Sequence, residues 1–477
     1  MPVSILIPAP LRQHVAGARR IEVHAATVAE ALARLAEQST QLRALLFDDA
    51  GHLSDSVDLL LGNRQVPHQA PSLAAWTLGE GDVLDLVWAG VEQGTEPRLS
   101  TDETRRYSRH LIMPEVTLQG QQRLKSSRVL CIGAGGLGSS LTLYLAAAGV
   151  GHLGLVDFDT VDLTNLQRQI LYSTADVGRA KLEAAKERLS RLNPDIEIVT
   201  HPVRLTAANA MDLLRGYDVV ADGSDNFATR YLVNDACVLL GKPNVYASVY
   251  RFEGQITVFD ARRGPCYRCL FPQAPSPGLA PSCAEGGVLG VLPGILGAMQ
   301  GLEVLKAILG VGEPLIGRLI AFDGSAFTCR ELAVPKRADC AVCGAAPTIT
   351  MPLELDVDRQ PCATGVAADG TRVSSLTVEE LHGLRQAGRP VNLLDVRERH
   401  EHAIAPIPGA VALPLSELPT RLRELDPTEP YVLYCHRGPR SVQAYHLLRQ
   451  AGFDRLQVLD GGVDAWAARI DRSLARY

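Results

Sequence analysis

Short apolar blocks and apolar positions at helical spacing succeed one another along this chain, and their order changes twice. Residues 3–7 and 21–24 read as strands. Thr27 then opens a helix, with Glu30 three residues on in a capping-box pattern. Ala31, Leu32 and Leu35 keep helical spacing behind it. Residues 48–51 form a turn, and 58–61 and 83–87 are late strands. The order ββαβ…β over residues 1–94 predicts a small α+β roll. After a polar linker at 95–100 the rhythm becomes strand, helix, strand. A charged helix at 102–111 precedes a strand at 129–132, a glycine-rich loop, a helix at 137–148 stopped by Gly149, and a strand at 153–157. That is a βαβ unit. A second strand and loop run from Val219 to Asn226. Residues 348–374 lack periodicity and read as a linker. Beyond them, strands at 391–395, 431–435 and 456–459 alternate with helices, as in a small parallel α/β domain. The chain thus divides into domains at 1–94, 101–347 and 375–477, without internal repeats.

Composition narrows the function classes. An apolar content of 46% and a charged content of 21% are those of an ordinary soluble protein. The net charge of −6, with no basic block, argues against nucleic acid as the main partner. Pro8 and Pro10 interrupt the early apolar run, so residues 1–30 do not read as a signal peptide. Residues 286–302 are weakly charged but carry six glycines and a proline, and read as a buried loop and helix rather than a membrane span. A cytoplasmic protein is expected. Its ten cysteines then point to metal and thiol chemistry rather than disulfides.

The central chemistry starts at Gly133–Gly138, GAGGLG, between a strand and a helix. Its glycines, Gly133, Gly135 and Gly136 among them, offer a phosphate cradle. Asp157 follows Gly138 by 19 residues, near the spacing of a ribose-binding acid. These features suit NAD and adenine nucleotides equally. Arg168, Lys181 and the Asp225–Asn226 pair at the carboxyl edge of the sheet favour phosphoryl chemistry. Hydride transfer needs no cations around phosphates, whereas carboxylate attack on an α-phosphate does. A carboxylate such as Asp225 is suited to hold Mg²⁺.

Two cysteine pairs, Cys266–x–x–Cys269 and Cys340–x–x–Cys343, lie with 70 residues between them. This is the spacing of a structural Zn²⁺ site, and four thiolates leave no open coordination position. Cys283 stands in PSCAEGG after a Pro- and Gly-rich stretch, on a loop able to cross an active site. Cys131, Cys237 and Cys329 lie in apolar contexts and are expected in the core.

The central block resembles the E1-like activating enzymes of the molybdopterin-synthase and thiamine-biosynthesis type. The matching stretches are RYSRHL from Arg106, GAGGLGS from Gly133, DFDTVDLTNLQRQ from Asp157, VGRAKLEAA from Val177, DGSDNFATR from Asp222, EGQITVFD from Glu253, PCYRCLFP from Pro265 and CAVCG from Cys340. The resemblance implies a Rossmann-like adenylation fold and use of ATP. It gives Gly136 and Asp157 to the adenosine part, Asn165, Arg168 and Lys181 to the phosphates, and Asp225 to Mg²⁺. It also implies a homodimer in which Arg109 reaches the other subunit's site. The implied reaction adenylates the C-terminal glycine of a small ubiquitin-like sulfur carrier protein ending in Gly-Gly, which then becomes a thiocarboxylate. In related enzymes the cysteine at the place of Cys283 is assigned a covalent link to the carrier or to the sulfur donor.

In the last block a strand runs directly into Cys435–His436–Arg437–Gly438–Pro439–Arg440–Ser441, and a helix follows to about residue 450. Backbone N–H groups and the positive end of a helix stabilise a thiolate there, and Arg437 and Arg440 are expected to add to this. A cysteine phosphatase places its arginine six residues after the cysteine. Here that position is Ser441 and the arginine is five residues on. The block resembles single-domain rhodaneses through LLDVRERHEH from Leu393, IPGAVALPL from Ile407, YCHRGPRS from Tyr434 and LDGGVDAW from Leu459. The resemblance implies a persulfide on Cys435, loaded by a cysteine desulfurase or another persulfide donor, and structural roles for Asp395 and Arg397. The first block resembles β-grasp sulfur carriers through LGEGDVLDLVWAG from Leu78. Those carriers end in a free Gly-Gly. Here Gly90 is followed by Val91 and the chain continues, so the block itself offers no carboxylate. The readings set against adenylation plus sulfur transfer are an NAD(P)-dependent oxidoreductase and a sulfurtransferase scaffold with an idle nucleotide domain.

Overall fold

The computed structural model describes residues 2–15, 17–48, 51–54, 57–61, 64–66, 70–88, 97–274, 286–355 and 373–477. The chain forms two compact units. One holds most of the residues from Met1 to Glu354 and the other is largely Leu355–Tyr477.

The first unit begins with five strands, β1 (Pro2–Leu6), β2 (Arg20–His24), β3 (Val57–Leu61), β4 (Arg64–Val66) and β5 (Val83–Trp88), ordered β2-β1-β5-β3-β4. β1 and β5 run parallel at the centre, and the other pairs are antiparallel. Helix α1 (Val28–Ala36) buries Leu32 and Leu35 with Ile5, Leu59 and Leu84 of the sheet. Its cap is built as the sequence indicates, with one shift. The Glu30 N–H donates to Thr27 Oγ1 (3.2 Å), but the Glu30 carboxylate accepts from Ala26 N–H (2.7 Å), one residue before the cap. A second helix, α2 (Thr40–Leu46), was not expected; Ser39 caps it. Residues 89–94, with the Gly90–Val91 departure, lie outside the described residues.

The central sheet has eight strands: β6 (Arg128–Ile132), β7 (His152–Val156), β8 (Glu197–His201), β9 (Val219–Asp222), β10 (Asn244–Tyr250), β11 (Glu253–Phe259), β12 (Arg318–Asp323) and β13 (Thr328–Ala333). Their order is β13-β12-β11-β10-β9-β6-β7-β8. Strands β6 to β10 are parallel, and β10 to β13 are antiparallel. From β6 the chain moves outward through β7 and β8, then returns to place β9 on the other side of β6. Open α/β sheets bind ligands at such a reversal. Helices α3 (Gly136–Ala148), α4 (Lys181–Leu192) and α5 (Phe227–Leu240) connect the parallel strands.

Helix α6 (Val291–Leu309) is long and apolar enough to cross a membrane by composition. It is a core helix instead: Leu292, Leu296, Gln300 and Val304 are buried. Gln300 Nε2 donates to the carbonyls of Asp222 (2.8 Å) and Val245 (3.0 Å), tying α6 to the ends of two strands. The stretch read as loop plus helix continues as helix past Glu303 and Lys306 to Leu309. The charged helix at 102–111 is two helical turns, Thr101–Arg106 and Ser108–Leu111, divided at Tyr107. A buried Tyr107 ring, whose hydroxyl accepts from Asn193 Nδ2 (2.8 Å), pins the break.

Cys131 and Cys237 are buried, as expected, but Cys329 is exposed. It lies on β13, the edge strand, which pairs only with β12 and is exposed along its whole length. Thr328, Arg330 and Glu331 flank Cys329, so the apolar context expected for it does not hold, and β13 packs no face against the core.

The second unit carries a five-stranded parallel sheet: β14 (Ser375–Leu376), β15 (Asn392–Asp395), β16 (Val411–Ala412), β17 (Tyr431–Tyr434) and β18 (Leu456–Leu459), ordered β14-β18-β17-β15-β16. Its helices include α7 (Val378–Gln386), α8 (Pro439–Gln450) and α9 (Gly462–Arg469). A full capping box between Thr377 and Glu380 starts α7.

Candidate functional site

Strand β6 delivers the chain to Gly133, whose φ is +87°. Steric demand explains the glycines. A Cβ at Gly138 would fall 2.1 Å from the Gly133 carbonyl oxygen, and one at Gly136 would meet Pro293 of α6 at 3.0 Å. Gly135 caps α3 without a side chain, so no N-cap side chain bonds the first turn of this 13-residue helix. Such a terminus suits a phosphate. The loop is braced at both sides. Gly133 N–H donates to Val156 O (2.8 Å), and Gly223 N–H donates to Ile132 O (2.9 Å). The ends of β7, β6 and β9 therefore meet at the loop.

Asp157 follows β7. Its carboxylate accepts from Ala134 N–H (2.8 Å) and Asp159 N–H (2.9 Å), so it shapes the loop as well as facing it. The buried Lys181, first residue of α4, places Nζ 3.0 Å from Asp159 Oδ2. Here the cation expected on a phosphate is held by Asp159 next to the loop. Half-buried Arg168 donates to Thr164 O (3.1 Å), and Asn165 accepts from Asp162 N–H (3.4 Å) in the same turn. Arg109 is exposed on its helical turn.

Asp225 is exposed and Asn226 half-buried in the turn between β9 and α5. The sequence pointed to this turn but not to what fixes it. The buried Asp222 accepts from Ser224 N–H (2.9 Å), Arg230 Nη2 donates to Ser224 O (3.1 Å), and Gln300 holds the Asp222 carbonyl. Burial pushes the Asp222 carboxyl above its ordinary range, partly opposed by Ser224 and Arg230. The signal available was an acid three residues before Asp225, ending the strand.

Cys266, Cys269, Cys340 and Cys343 come together with all four Sγ atoms within 4.8 Å of one another. The distances are 3.6 Å for Cys266–Cys340, 3.4 Å for Cys269–Cys343 and 3.9 Å for Cys266–Cys269. Tetrahedral zinc with Zn–S bonds of about 2.3 Å needs sulfurs roughly 3.8 Å apart, so the donor set fits. Burial pushes the Cys266 thiol up, and the Cys343 thiol up to about 12. At Cys340 burial is outweighed by the backbone N–H groups of Cys343 and Val342, which hold its thiol below the ordinary value. A divalent cation is what would let four sulfurs this close exist as thiolates side by side.

In the second unit β17 leads into Cys435, which is buried. Its Sγ accepts from Gly438 N–H (3.0 Å), and Ser441 Oγ lies 3.7 Å away. Gly438, at φ +135°, caps α8, and Pro439 supplies its first residue. Val463 N–H donates to Cys435 O (3.0 Å), so α9 also grips the loop. The two arginines expected to favour a thiolate are each shared with an acid. Arg440 makes a bidentate pair with Glu401 (2.5 and 2.8 Å), and Arg437 lies 3.5 Å from Asp464. Asp395 and Arg397 form a fully buried ion pair, and His402 Nδ1 lies 2.8 Å from Asp395. Cys283 and Cys362 lie outside the described residues.

Comparison with known proteins bears on these geometries. Residues 107–342 match the ThiF family, and residues 377–469 match the rhodanese-like domain. A probable adenylyltransferase/sulfurtransferase MoeZ of Mycobacterium tuberculosis is 46% identical over 389 residues, covering 80% of this chain and 96% of the relative. Adenylyltransferase and sulfurtransferase MOCS3 of Aedes aegypti is 41% identical over 397 residues, covering 80% and 90%. That of Sus scrofa is 44% identical over 406 residues, covering 80% and 89%. Among solved structures, E. coli MccB aligns with a TM-score of 0.47 at 23% identity over 52% of this chain and 75% of its own. With a ThiF-family domain followed by a rhodanese-like domain, the chain belongs to the family of bifunctional adenylyltransferase/sulfurtransferase enzymes.

Proposed function

We propose that the enzyme activates the C-terminal glycine of a small ubiquitin-like sulfur carrier and converts it to a thiocarboxylate. The carrier carboxylate attacks the α-phosphorus of ATP, pyrophosphate leaves, and an acyl-adenylate remains. The terminal sulfur of a Cys435 persulfide then attacks the acyl carbon and AMP leaves. A thiol then attacks the Cys435 sulfur of the acyl disulfide so formed, the thiocarboxylate leaves, and the disulfide left on Cys435 is reduced by an external thiol. Cys283 is the candidate thiol that the sequence offers. The observation that carries this reading is the pairing, in one chain, of an uncapped helix terminus at a sheet reversal with a cysteine seated at a second helix terminus. Neither is needed by an NAD(P) oxidoreductase in combination with the other.

In this reading Gly133, Gly135 and Gly136 admit the phosphates, Asp157 binds the ribose, and Asn165 and Arg168 neutralise developing charge. Lys181 joins them by leaving Asp159, or acts with Asp159 beside it. Asp225, exposed next to the loop, holds Mg²⁺, which supplies charge neutralisation on the phosphates. Zn²⁺ on the four cysteines is structural. Arg109 completes the site of a second copy of the chain in a homodimer, and a cysteine desulfurase or another persulfide donor loads Cys435. The first domain, read at 1–94, is a β-grasp module; the order β2-β1-β5-β3-β4 of its described strands, with β1 parallel to β5, supports this. The enzyme acts in the cytoplasm.

Mass spectrometry of a carrier ending in Gly-Gly, incubated with enzyme, ATP and a persulfide donor, tests the reading. A gain of one sulfur in place of one oxygen, lost in Cys435→Ala, supports it. A mass unchanged with every carrier tried overturns it.

A further inference from the structure

Residues after α9 return across the sulfur loop of the second unit. The Tyr477 ring stacks on the His436 ring, with centroids 4.7 Å apart and planes 17° from parallel. Arg397 Nη1 donates to the Tyr477 hydroxyl oxygen. Arg397 is itself anchored on buried Asp395, and its guanidinium also donates to Ala405 O (2.9 Å). One residue earlier, Arg476 Nε donates to Asp464 Oδ1 (2.9 Å). Asp464 is the carboxylate that also faces Arg437 of the loop, and its own N–H donates to His436 O (3.1 Å).

The contacts of Arg476 and Tyr477 thus converge on the Cys435 loop and its supports. Here the ring covers His436, the residue that follows Cys435, and the hydroxyl is fixed by a cation that cannot move without breaking a buried pair. His436 precedes Arg437 and Gly438, whose N–H meets Cys435 Sγ. Only His436 and Arg437 separate the sulfur from its donor, and Val463 and Asp464 N–H hold the Cys435 and His436 carbonyls, so the orientation of the His436 side chain sets the approach to the thiol.

We propose that Tyr477 is a positioning residue for sulfur transfer: its ring holds His436 and the Cys435 loop in the conformation that seats Sγ on the Gly438 N–H, and it closes the loop to bulk solvent. The inference rests on Cys435 being the sulfur-carrying thiol. It goes beyond that reading by assigning a role outside the loop itself.

The test uses the full chain and two probes. Thiosulfate:cyanide sulfur transfer is measured in the wild type and in Cys435→Ser. This reports on the underlying reading alone. Alkylation of Cys435 by iodoacetamide, followed on its peptide by mass spectrometry, reports on the loop whether or not sulfur transfer occurs. Tyr477→Phe keeps the stack and is expected to alkylate within twofold of wild type. Tyr477→Leu is expected to alkylate about tenfold faster. Where sulfur transfer is measurable, it should lower kcat by about tenfold with KM for thiosulfate changed less than threefold. A Tyr477→Leu alkylation rate within twofold of wild type overturns the proposal, as does an equal change in the phenylalanine variant. Thermal unfolding checks that each variant is folded. Should the leucine variant unfold, His436→Gln removes the stack from the other side and carries the same expectations.

Discussion

Gly297 of α6 lies against Leu137 of α3 so closely that a Cβ at 297 would fall 2.3 Å from the Leu137 carbonyl oxygen and 2.3 Å from Ser140 Oγ. Ser140 Oγ also bonds Pro293 O (3.3 Å) across the same seam. The absent side chain lets two helices approach where α3 begins, directly behind the glycine loop. Gly297→Val should therefore push α6 away, at a cost of about 1–3 kcal/mol, the usual range for overpacking. Gly294, with nothing within 4 Å of its would-be Cβ, is the control: Gly294→Ala should leave nucleotide binding intact. Thermal unfolding with and without ATP separates the two variants. Only Gly297→Val should lose both stability and the ATP-induced rise in Tm.

The four-cysteine cluster brings residues 266–269 together with 340–343, closing a long stretch of chain. Removal of the cation leaves four crowded, half-to-fully buried sulfurs. Cys340→Ser should lower metal content to well below one zinc per chain and lower the Tm of the first unit. A chelator should do the same to the wild type, faster at acid pH, where protons compete for the thiolates. Elemental analysis with differential scanning calorimetry checks both effects. Full zinc content and an unchanged Tm in Cys340→Ser would contradict the assignment.

Asp395 gives the second unit a defined acid sensitivity. Burial works against its charge, but Arg397 and His402 outweigh burial and hold its carboxyl below the ordinary range. The unfolded carboxyl titrates near 3.9. The sign follows: the unfolded state binds the proton more readily, so the stabilisation is complete above that value and falls as pH drops towards the lower native one. Asp395→Asn leaves Arg397 buried without its counter-ion, which should cost about 3–5 kcal/mol at neutral pH. The variant's deficit should shrink in acid. Denaturant unfolding at pH 3 to 7 in both proteins tests this, and a deficit that is the same at every pH would refute it.

The sequence made most of the site-bearing framework legible, and for physical reasons. Strands β6, β7 and β9 are short and apolar except at one end, and β6 runs into Gly133, whose φ of +87° favours glycine. The cysteine pairs are read by spacing because a metal demands that spacing. What stayed hidden depends on residues distant in sequence. Nothing near Gly297 reveals that it faces Leu137. Lys181 reads as a free cation until Asp159 is seen beside it. Arg437 and Arg440 read as support for Cys435, but Asp464 and Glu401, each more than 20 residues away, share their charge. Cys329 misled because a cysteine in a strand was read as core although its neighbours Thr328, Arg330 and Glu331 are polar, as suits an exposed edge strand. Tyr477 carried no local pattern, and only the fold brings it onto His436.

Adenylation of a carrier protein at the glycine loop is the step on which the proposed chemistry depends. ATP–pyrophosphate exchange measures this step without the sulfur chemistry. Wild-type enzyme is compared with Asp225→Ala in the presence of candidate carriers ending in Gly-Gly. Exchange that appears only with a carrier, and that falls at least a hundredfold in Asp225→Ala, is the expected result; losing one charge-stabilising group commonly costs about 10²–10³ in rate. Exchange independent of any carrier, or undiminished without Asp225, would contradict the account.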